Sequence, residues 1–401
     1  MPTTPTPRSW MRVAFTMFSV GWGANMFAPL LLLYRERQHL SDTTGSAIFG
    51  IYALSLIPAL LIGGMLSDRH GRRPMMRGAA FASMIASLLL IGGADNEPLL
   101  FAGRAFAGIA SGLAFGSGTA WVKELSNSAG GNAGARRAAI AMSAGFGSGG
   151  LFGGFIAQWA PAPQLVPYLV HIAMMVVAIA IVWGAPESHY HSTRTHSVDD
   201  APSLTDVRIF AHPRFLALIV PTAPWVFGTA TISFTLLPRL VTTHTEGFAL
   251  AFAGIVAGIT QFTGVAIQPW AQRRETDGKR DLLLIGMFAA ALGLALGVTI
   301  AIIGIPWLLL ISALVFGVAY GILLVSGLQE ITRMADPQVL GRFVSYFYVL
   351  AYGGFAIPYV LAAITTWVSY PISLTTCTLI ALAICLHLRR EIPGDSRRSA
   401  G

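Results

Sequence analysis

Apolar residues run along this chain in blocks of about 20, and polar residues fill the short breaks between them. A helix of that length crosses the ~30 Å hydrocarbon layer of a bilayer. Twelve spans are expected, near residues 11–34, 44–66, 75–94, 98–122, 138–160, 165–184, 214–237, 247–270, 281–303, 305–329, 341–362 and 368–388. Only Gly304, Ile305 and Pro306 separate the ninth from the tenth, so that turn is inferred from length and from proline. The first block runs from about Val13 to Leu33 and is too long for the apolar core of a secretory signal. No A-x-A-like site comes after it, and it reads as a retained span.

Charge placement fixes the expected topology. With the N-terminus inside, the inner segments hold 22 of the 26 Lys and Arg residues. The outer segments hold Arg35, Arg37 and Arg239, and Arg104 falls inside a span. This alternation obeys the positive-inside rule and puts both termini in the cytoplasm. An odd number of spans in either half would destroy it.

The longest polar stretch, Pro186 to Pro213, divides the spans six and six. The expected organisation is an N-terminal six-helix bundle (1–185), a cytoplasmic linker (186–213) and a C-terminal six-helix bundle with a short basic tail (214–401). His189, His191 and His196 in the linker lack a Cys or carboxylate that would complete a metal site.

Composition agrees with lipid as the solvent: 54% of residues are hydrophobic and 11% charged. The net charge of +8 is a topology signal and an attraction to anionic headgroups rather than a nucleic-acid footprint. On a helix Cys377 and Cys385 would lie ~12 Å apart, too far for a disulfide. No paired carboxylates, metal cluster or activated nucleophile is present, which argues against an enzyme. A sensor would need a signalling domain, and none is seen. The G-x-G-x-x-G match at Gly145, Gly147 and Gly150 has no strand before it, so no dinucleotide or other cofactor is expected.

Between the second and third spans the chain reads Gly64-Met-Leu-Ser-Asp68-Arg69-His-Gly71-Arg72-Arg73-Pro74. Gly64 allows close helix approach and Gly71 a tight turn. Asp68 is placed where a carboxylate can cap a neighbouring helix N-terminus. This loop resembles the signature loop of the major facilitator superfamily, G-x-L-x-D-R-x-G-R-[RK]. The resemblance implies an all-α membrane fold of two pseudo-symmetric six-helix bundles related as parallel repeats. It implies that the helix met by Asp68 is the eleventh span. It also implies that Arg72 pairs with an acid at the inner end of span four, here Glu124, and that these contacts hold the outward-facing state.

Further segments extend the likeness. Arg104, Gly108 and Gly112 are similar to the family's R-x-x-x-G-x-x-x-G pattern, in which the arginine aids proton coupling. The other reading of Arg104 is structural, bonded to backbone carbonyls or to span one. Gly145, Gly149, Gly150, Gly153 and Gly154 resemble the glycine-rich motif of exporters, without its leading glycine and with Gly150 for its usual proline. Small-residue packing explains them equally. Asn25 stands where proton-driven exporters of the family often carry a carboxylate. It is open to a bond with Arg104, with substrate or with another helix.

Acids are absent from mid-span, with Asp42, Glu124 and Glu330 at ends. His171 is deeper and suited to carrying a proton, though a lone buried histidine is more often structural. Glu330 is expected to pair with Arg273 or Arg342. Trp22, Trp225, Phe234, Gln261, Tyr348 and Tyr352 are candidate cavity residues, with interface anchoring as the alternative for the aromatics. The expected function is a secondary transporter of a small hydrophobic or amphipathic solute, neutral or weakly anionic, working by alternating access as a proton-coupled exporter. The alternative is a facilitator or importer of a metabolite. The expected partners are the solute, protons and the bilayer, with no nucleic acid. The expected state is a monomer in a bacterial-type cytoplasmic membrane.

Overall fold

A computed structural model describes residues 8–126, 133–188, 212–276, 281–335 and 340–391. Among them are twelve helices long and apolar enough to cross a bilayer, and no strand. They begin with α1 (Ser9–Arg37), α2 (Asp42–His70), α3 (Arg72–Gly92), α4 (Glu97–Glu124), α5 (Ala133–Trp159) and α6 (Val166–Trp183). The others are α7 (Phe215–Leu240), α8 (Ala249–Thr276), α9 (Leu282–Ile303), α10 (Pro306–Met334), α11 (Leu340–Gly353 continued by Ala356–Ile364) and α12 (Tyr370–Glu391). Each expected span is found as a helix, several prolonged at their ends by polar and charged residues. The linker histidines at 189, 191 and 196 lie outside the described residues.

Local chemistry sets the helix ends. Ser41 and Asn96 cap α2 and α4 by accepting from Thr44 N (3.0 Å) and Leu99 N (3.3 Å). Gly71, at φ 97°, makes the break between α2 and α3 that its place in the motif suggested. Gly304 ends α9 in the left-handed region at φ 68°, and Pro306 opens α10. Departures within helices were not expected. π-Turns widen α4 at Ala114–Gly118 and α7 at Phe215–Ile219 and Ile232–Leu236. The helix α11 breaks at Gly354 and Phe355.

The chain forms two compact units. The first comprises Met1–Ala201 with Gly247–Gly258, the start of α8, and the second comprises Pro202–Glu246 with Ile259–Gly401. In the first unit, Gly145, Gly149 and Gly153 of α5 recur every fourth residue and lie against Phe18, Trp22 and Met26 of α1, also four apart. A Cβ on Gly145 or Gly149 would strike backbone carbonyl groups of α1. The adjacent stripe, Gly150 and Gly154, faces the start of α8, where a Cβ on Gly154 would come 2.5 Å from Leu250 O. The exporter-type glycines are thus packing surfaces on two sides of one helix.

The same device closes α2 on α4 and α8 on α10. Gly108 and Gly112 meet the Tyr52 and Leu56 carbonyls, while Gly317 and Gly321 meet those of Thr260 and Gly264. Both pairs are four residues apart and both face a pair four apart, so the internal repeat is visible in the register of contacts. In lipid such closeness supplies dispersion that burial of apolar surface cannot. Gly149→Val should lower the melting temperature of the purified protein, because overpacking against rigid backbone costs ~1–3 kcal/mol. Gly78→Ala, which meets only Leu113 Cδ1 at 4.0 Å, should leave it unchanged or raised.

Candidate functional site

Close approach of α4 to α2 places aromatic rings over Arg104. This residue is 1% exposed, and its guanidinium lies 4.7 Å from the Phe27 ring centroid, 5.0 Å from Phe49 and 4.6 Å from Tyr52. Nη1 donates to Ala24 O at 2.8 Å, and Nε has no partner. No carboxylate pairs with it among the described residues. A central arginine costs roughly 2.5–3.5 kcal/mol to insert. Three cation–π contacts at about 1 kcal/mol each and one charge-assisted bond offset that. The carbonyl partner belongs to span one, as the structural reading required.

Asn25 does not bond Arg104. Its Nδ2 donates to Phe146 O of α5 at 2.8 Å. Gly150, one helical turn further along α5, leaves that carbonyl accessible, and a Cβ there would stand 3.0 Å from Asn25 Nδ2. The amide makes an interhelical bond.

His171 is also fully engaged. Nδ1 lies 2.7 Å from Ser87 Oγ, and Nε2 lies 3.1 Å from Ser19 O and 3.5 Å from Ser83 Oγ. The carbonyl demands a proton on Nε2, which leaves Nδ1 to accept from Ser87. This neutral tautomer is satisfied on both sides. Trp22 stacks on the imidazole with centroids 6.0 Å apart and is 4% exposed. Its ring is held inside the bundle by that stack. Asp42 lies in the first turn of α2, where Arg35 donates to its backbone carbonyl at 3.3 Å.

At the α2–α3 turn, Arg72 reaches Asp68 at 2.5 Å and Glu124 at 3.0 Å. The Arg72–Glu124 pair implied by the motif is therefore formed. The Asp68 side chain is 67% exposed, and Arg69 is exposed. Glu187 was missed by sequence reasoning. Its carboxylate accepts from the backbone N–H of Arg72 (3.1 Å) and Arg73 (3.0 Å), capping α3 from the far end of α6. Around it Arg73 donates to Ala185 O, Trp121 to Pro186 O and Ser188 to Glu124. An acid just beyond the end of α6 was the available signal.

The second unit carries its own charge cluster. Arg333 bonds Glu275 at 2.5 Å and Glu330 at 2.7 Å, and Arg214 reaches Glu330 at 3.2 Å. Where Arg273 or Arg342 was expected beside Glu330, the pairs formed are with Arg214 and Arg333. One turn of helix sets Arg333 beside Glu330, and Arg214 comes from the start of α7. Nearby, Arg274 pairs with Asp281. No group of three metal-binding side chains occurs among the described residues.

Five rings gather on α7, α10 and α11. Phe227 stacks on Tyr352 at 4.6 Å and lies 5.8 Å from both Tyr320 and Phe355. Tyr348 stacks on Tyr352 at 6.2 Å. Phe227, Tyr320 and Tyr348 are half-buried. Gly264 makes room for the Tyr320 ring, which a Cβ would strike. Tyr348 and Tyr352 were expected here, whereas Phe227 and Tyr320 were missed. Trp225 (6% exposed) and Phe234 (4%) are buried on α7, and Gln261 is half-buried on α8.

The sequence profile of the Major Facilitator Superfamily matches residues 13–357. The chain belongs to that superfamily. It is a multi-pass membrane transporter, not an enzyme. Among curated proteins, Multidrug resistance protein 2 of Bacillus subtilis (strain 168) is 21% identical over 252 residues, covering 61% of this chain. The match likewise covers 61% of the length of that relative. A point mutant of the nucleoside transporter NupG superposes with a TM-score of 0.77 at 11% identity, covering 96% of this chain and 100% of the other. A POT family transporter in complex with 5-aminolevulinic acid gives 0.76 at 15% identity, covering 95% of each. A D-xylose-proton symporter gives 0.71 at 16%, covering 96% and 97%. At these identities the likenesses establish the fold of this superfamily transporter.

A double-mutant cycle on Arg72 and Glu124 should return a coupling of roughly 1–3 kcal/mol in thermal unfolding. The cycle with exposed Asp68 should return about 1 kcal/mol or less. Glu187→Gln should lower stability by ~1 kcal/mol, the scale of a carboxylate cap on a helix N-terminus, with membrane insertion unchanged on immunoblots.

Proposed function

We propose that this transporter exports small neutral or amphipathic solutes that carry a planar apolar group, by alternating access in a bacterial cytoplasmic membrane. The observation that carries this reading is the ring cluster of Phe227, Tyr320, Tyr348, Tyr352 and Phe355. It offers flat apolar faces and phenolic hydroxyls and no charge, which suits stacking with a few polar contacts. Among the described residues no acid lies in the middle of a span, so the site offers nothing to compensate a dication. Export draws support from the similarity to a protein named for multidrug resistance. In this reading the proton is exchanged at Glu275, one of the two buried carboxylates among the described residues, which shares Arg333 with Glu330. The termini are cytoplasmic, as the arginine distribution suggests.

A second reading, a facilitator or importer, is favoured by one pair of observations. Asn25 is engaged with Phe146, and Arg104 has no carboxylate partner among the described residues, so the first unit offers no proton-binding acid beside its arginine.

Uptake of a planar aromatic dye into everted vesicles tests both. Accumulation that disappears when the pH gradient is collapsed supports antiport. Equilibration regardless of the gradient supports the facilitator. Tyr320→Ala with Tyr348→Ala should raise the KM for the dye several-fold at unchanged expression, each lost aromatic contact being worth ~0.5–1.5 kcal/mol. An unchanged KM would remove the ring cluster from the site.

A further inference from the structure

Three arginines converge at the end of α6 beside the signature loop. Arg12 of α1 donates to Gly184 O at 2.7 Å, Arg73 of α3 to Ala185 O at 2.6 Å and Arg77 of α3 to Trp183 O at 2.8 Å. The acceptors are neutral carbonyls, each taking one of the five N–H groups a guanidinium carries. The Nε atoms of Arg73 and Arg77 are buried and have no hydrogen-bond partner, so the Nη groups are the ones left to an outside ligand. The acid of this corner is Glu187, and both its oxygens are taken by the backbone N–H groups of Arg72 and Arg73. The corner therefore gathers three guanidinium groups around one carboxylate and has a surplus of positive charge.

The corner lies where two exposed apolar stripes end. On α3, Arg77 continues the exposed apolar stripe of Phe81, Ile85 and Leu88 at helical spacing. On α6 the exposed Val176 and Val177 lead, two turns on, to Trp183, which is 53% exposed. The Arg77 guanidinium lies 3.9 Å from the Trp183 ring centroid. Apolar surface facing acyl chains thus ends in a stacked Trp–Arg pair with two more guanidinium groups beside it. Tryptophan marks the depth of the membrane interface, and basic pockets between helices hold anionic headgroups there.

We infer that the Arg12–Arg73–Arg77 corner with Trp183 is a binding site for an anionic phospholipid, such as phosphatidylglycerol or cardiolipin. The phosphodiester accepts from the Nη N–H groups not given to the α6 carbonyls, and the first acyl carbons lie against Trp183. A zwitterionic lipid fits less well, because its ammonium or choline group meets three cations and only one acid. The site is independent of which solute is carried.

Lipid binding to the purified full-length protein by native mass spectrometry, with Arg12→Gln/Arg77→Gln alongside, tests this. Wild type should retain phosphatidylglycerol well above phosphatidylcholine. The double variant should lose affinity for phosphatidylglycerol about fivefold per arginine, the equivalent of ~1 kcal/mol for each basic residue near an anionic surface. Equal retention of the two lipids by wild type, or an unchanged preference in the variant, would overturn the site. Thermal stabilisation by inorganic phosphate equal to that by phosphatidylglycerol would also overturn it, by showing a free-anion site. If the double variant does not fold, fluorescence quenching by brominated lipids decides instead. Brominated phosphatidylglycerol should quench wild type more than brominated phosphatidylcholine does. That excess should vanish in Trp183→Phe, and its persistence there would refute the assignment.

Discussion

Everything in this transporter rests on how near one helix backbone can come to another. Inside a bilayer there is no water to expel, so apolar surface alone does not press helices together. Glycines every fourth residue remove the side chains that would hold α5 from α1, α4 from α2 and α10 from α8. Short-range chemistry becomes possible as a result. With α4 pressed on α2, Phe49 and Tyr52 reach the Arg104 guanidinium. With Gly150 lacking a side chain, Asn25 reaches a helix carbonyl, and with Gly264 lacking one, Tyr320 turns toward Phe227. The polar and aromatic sites are by-products of packing rather than additions to it.

The charged helix ends obey a second logic, in which charge replaces closeness. Each unit ties helix ends with an arginine between two acids, Arg72 in the first and Arg333 in the second. Residue for residue the two groupings differ. Arg72 begins α3, whereas Arg333 ends α10. The second unit preserves the acid–base–acid grouping and redistributes it among different helices, so the sequence repeat fades there while its physical role persists.

Packing and charge were not equally legible in the sequence. Twelve spans could be read because each needs a long apolar block, and the arginines marked its ends. The Arg72–Glu124 pair could be read because it sits within a motif. Glu187 could not, because its partners are backbone N–H groups more than a hundred residues away and no side-chain pattern announces them. The π-turns left no trace in hydropathy, since a single extra residue per turn does not alter an apolar run. The contacts of His171 and Trp22 could not be read either, because Gly23 lets the imidazole lie against α1, where the Ser19 carbonyl and Trp22 meet it.

The caged arginine has an electrical consequence. A guanidinium beside a carboxylate is a dipole, nearly invisible to the membrane voltage, but Arg104 has only rings and a carbonyl for company and keeps a whole positive charge. It lies about 10 Å along α4 from the Glu97 end, at 1.5 Å per residue. One elementary charge moved across the full potential involves about 2.3 kcal/mol per 100 mV. Any stroke that carries Arg104 part of that way makes the transporter a gating-charge device, so an energised membrane biases its resting conformation even when the cargo is uncharged.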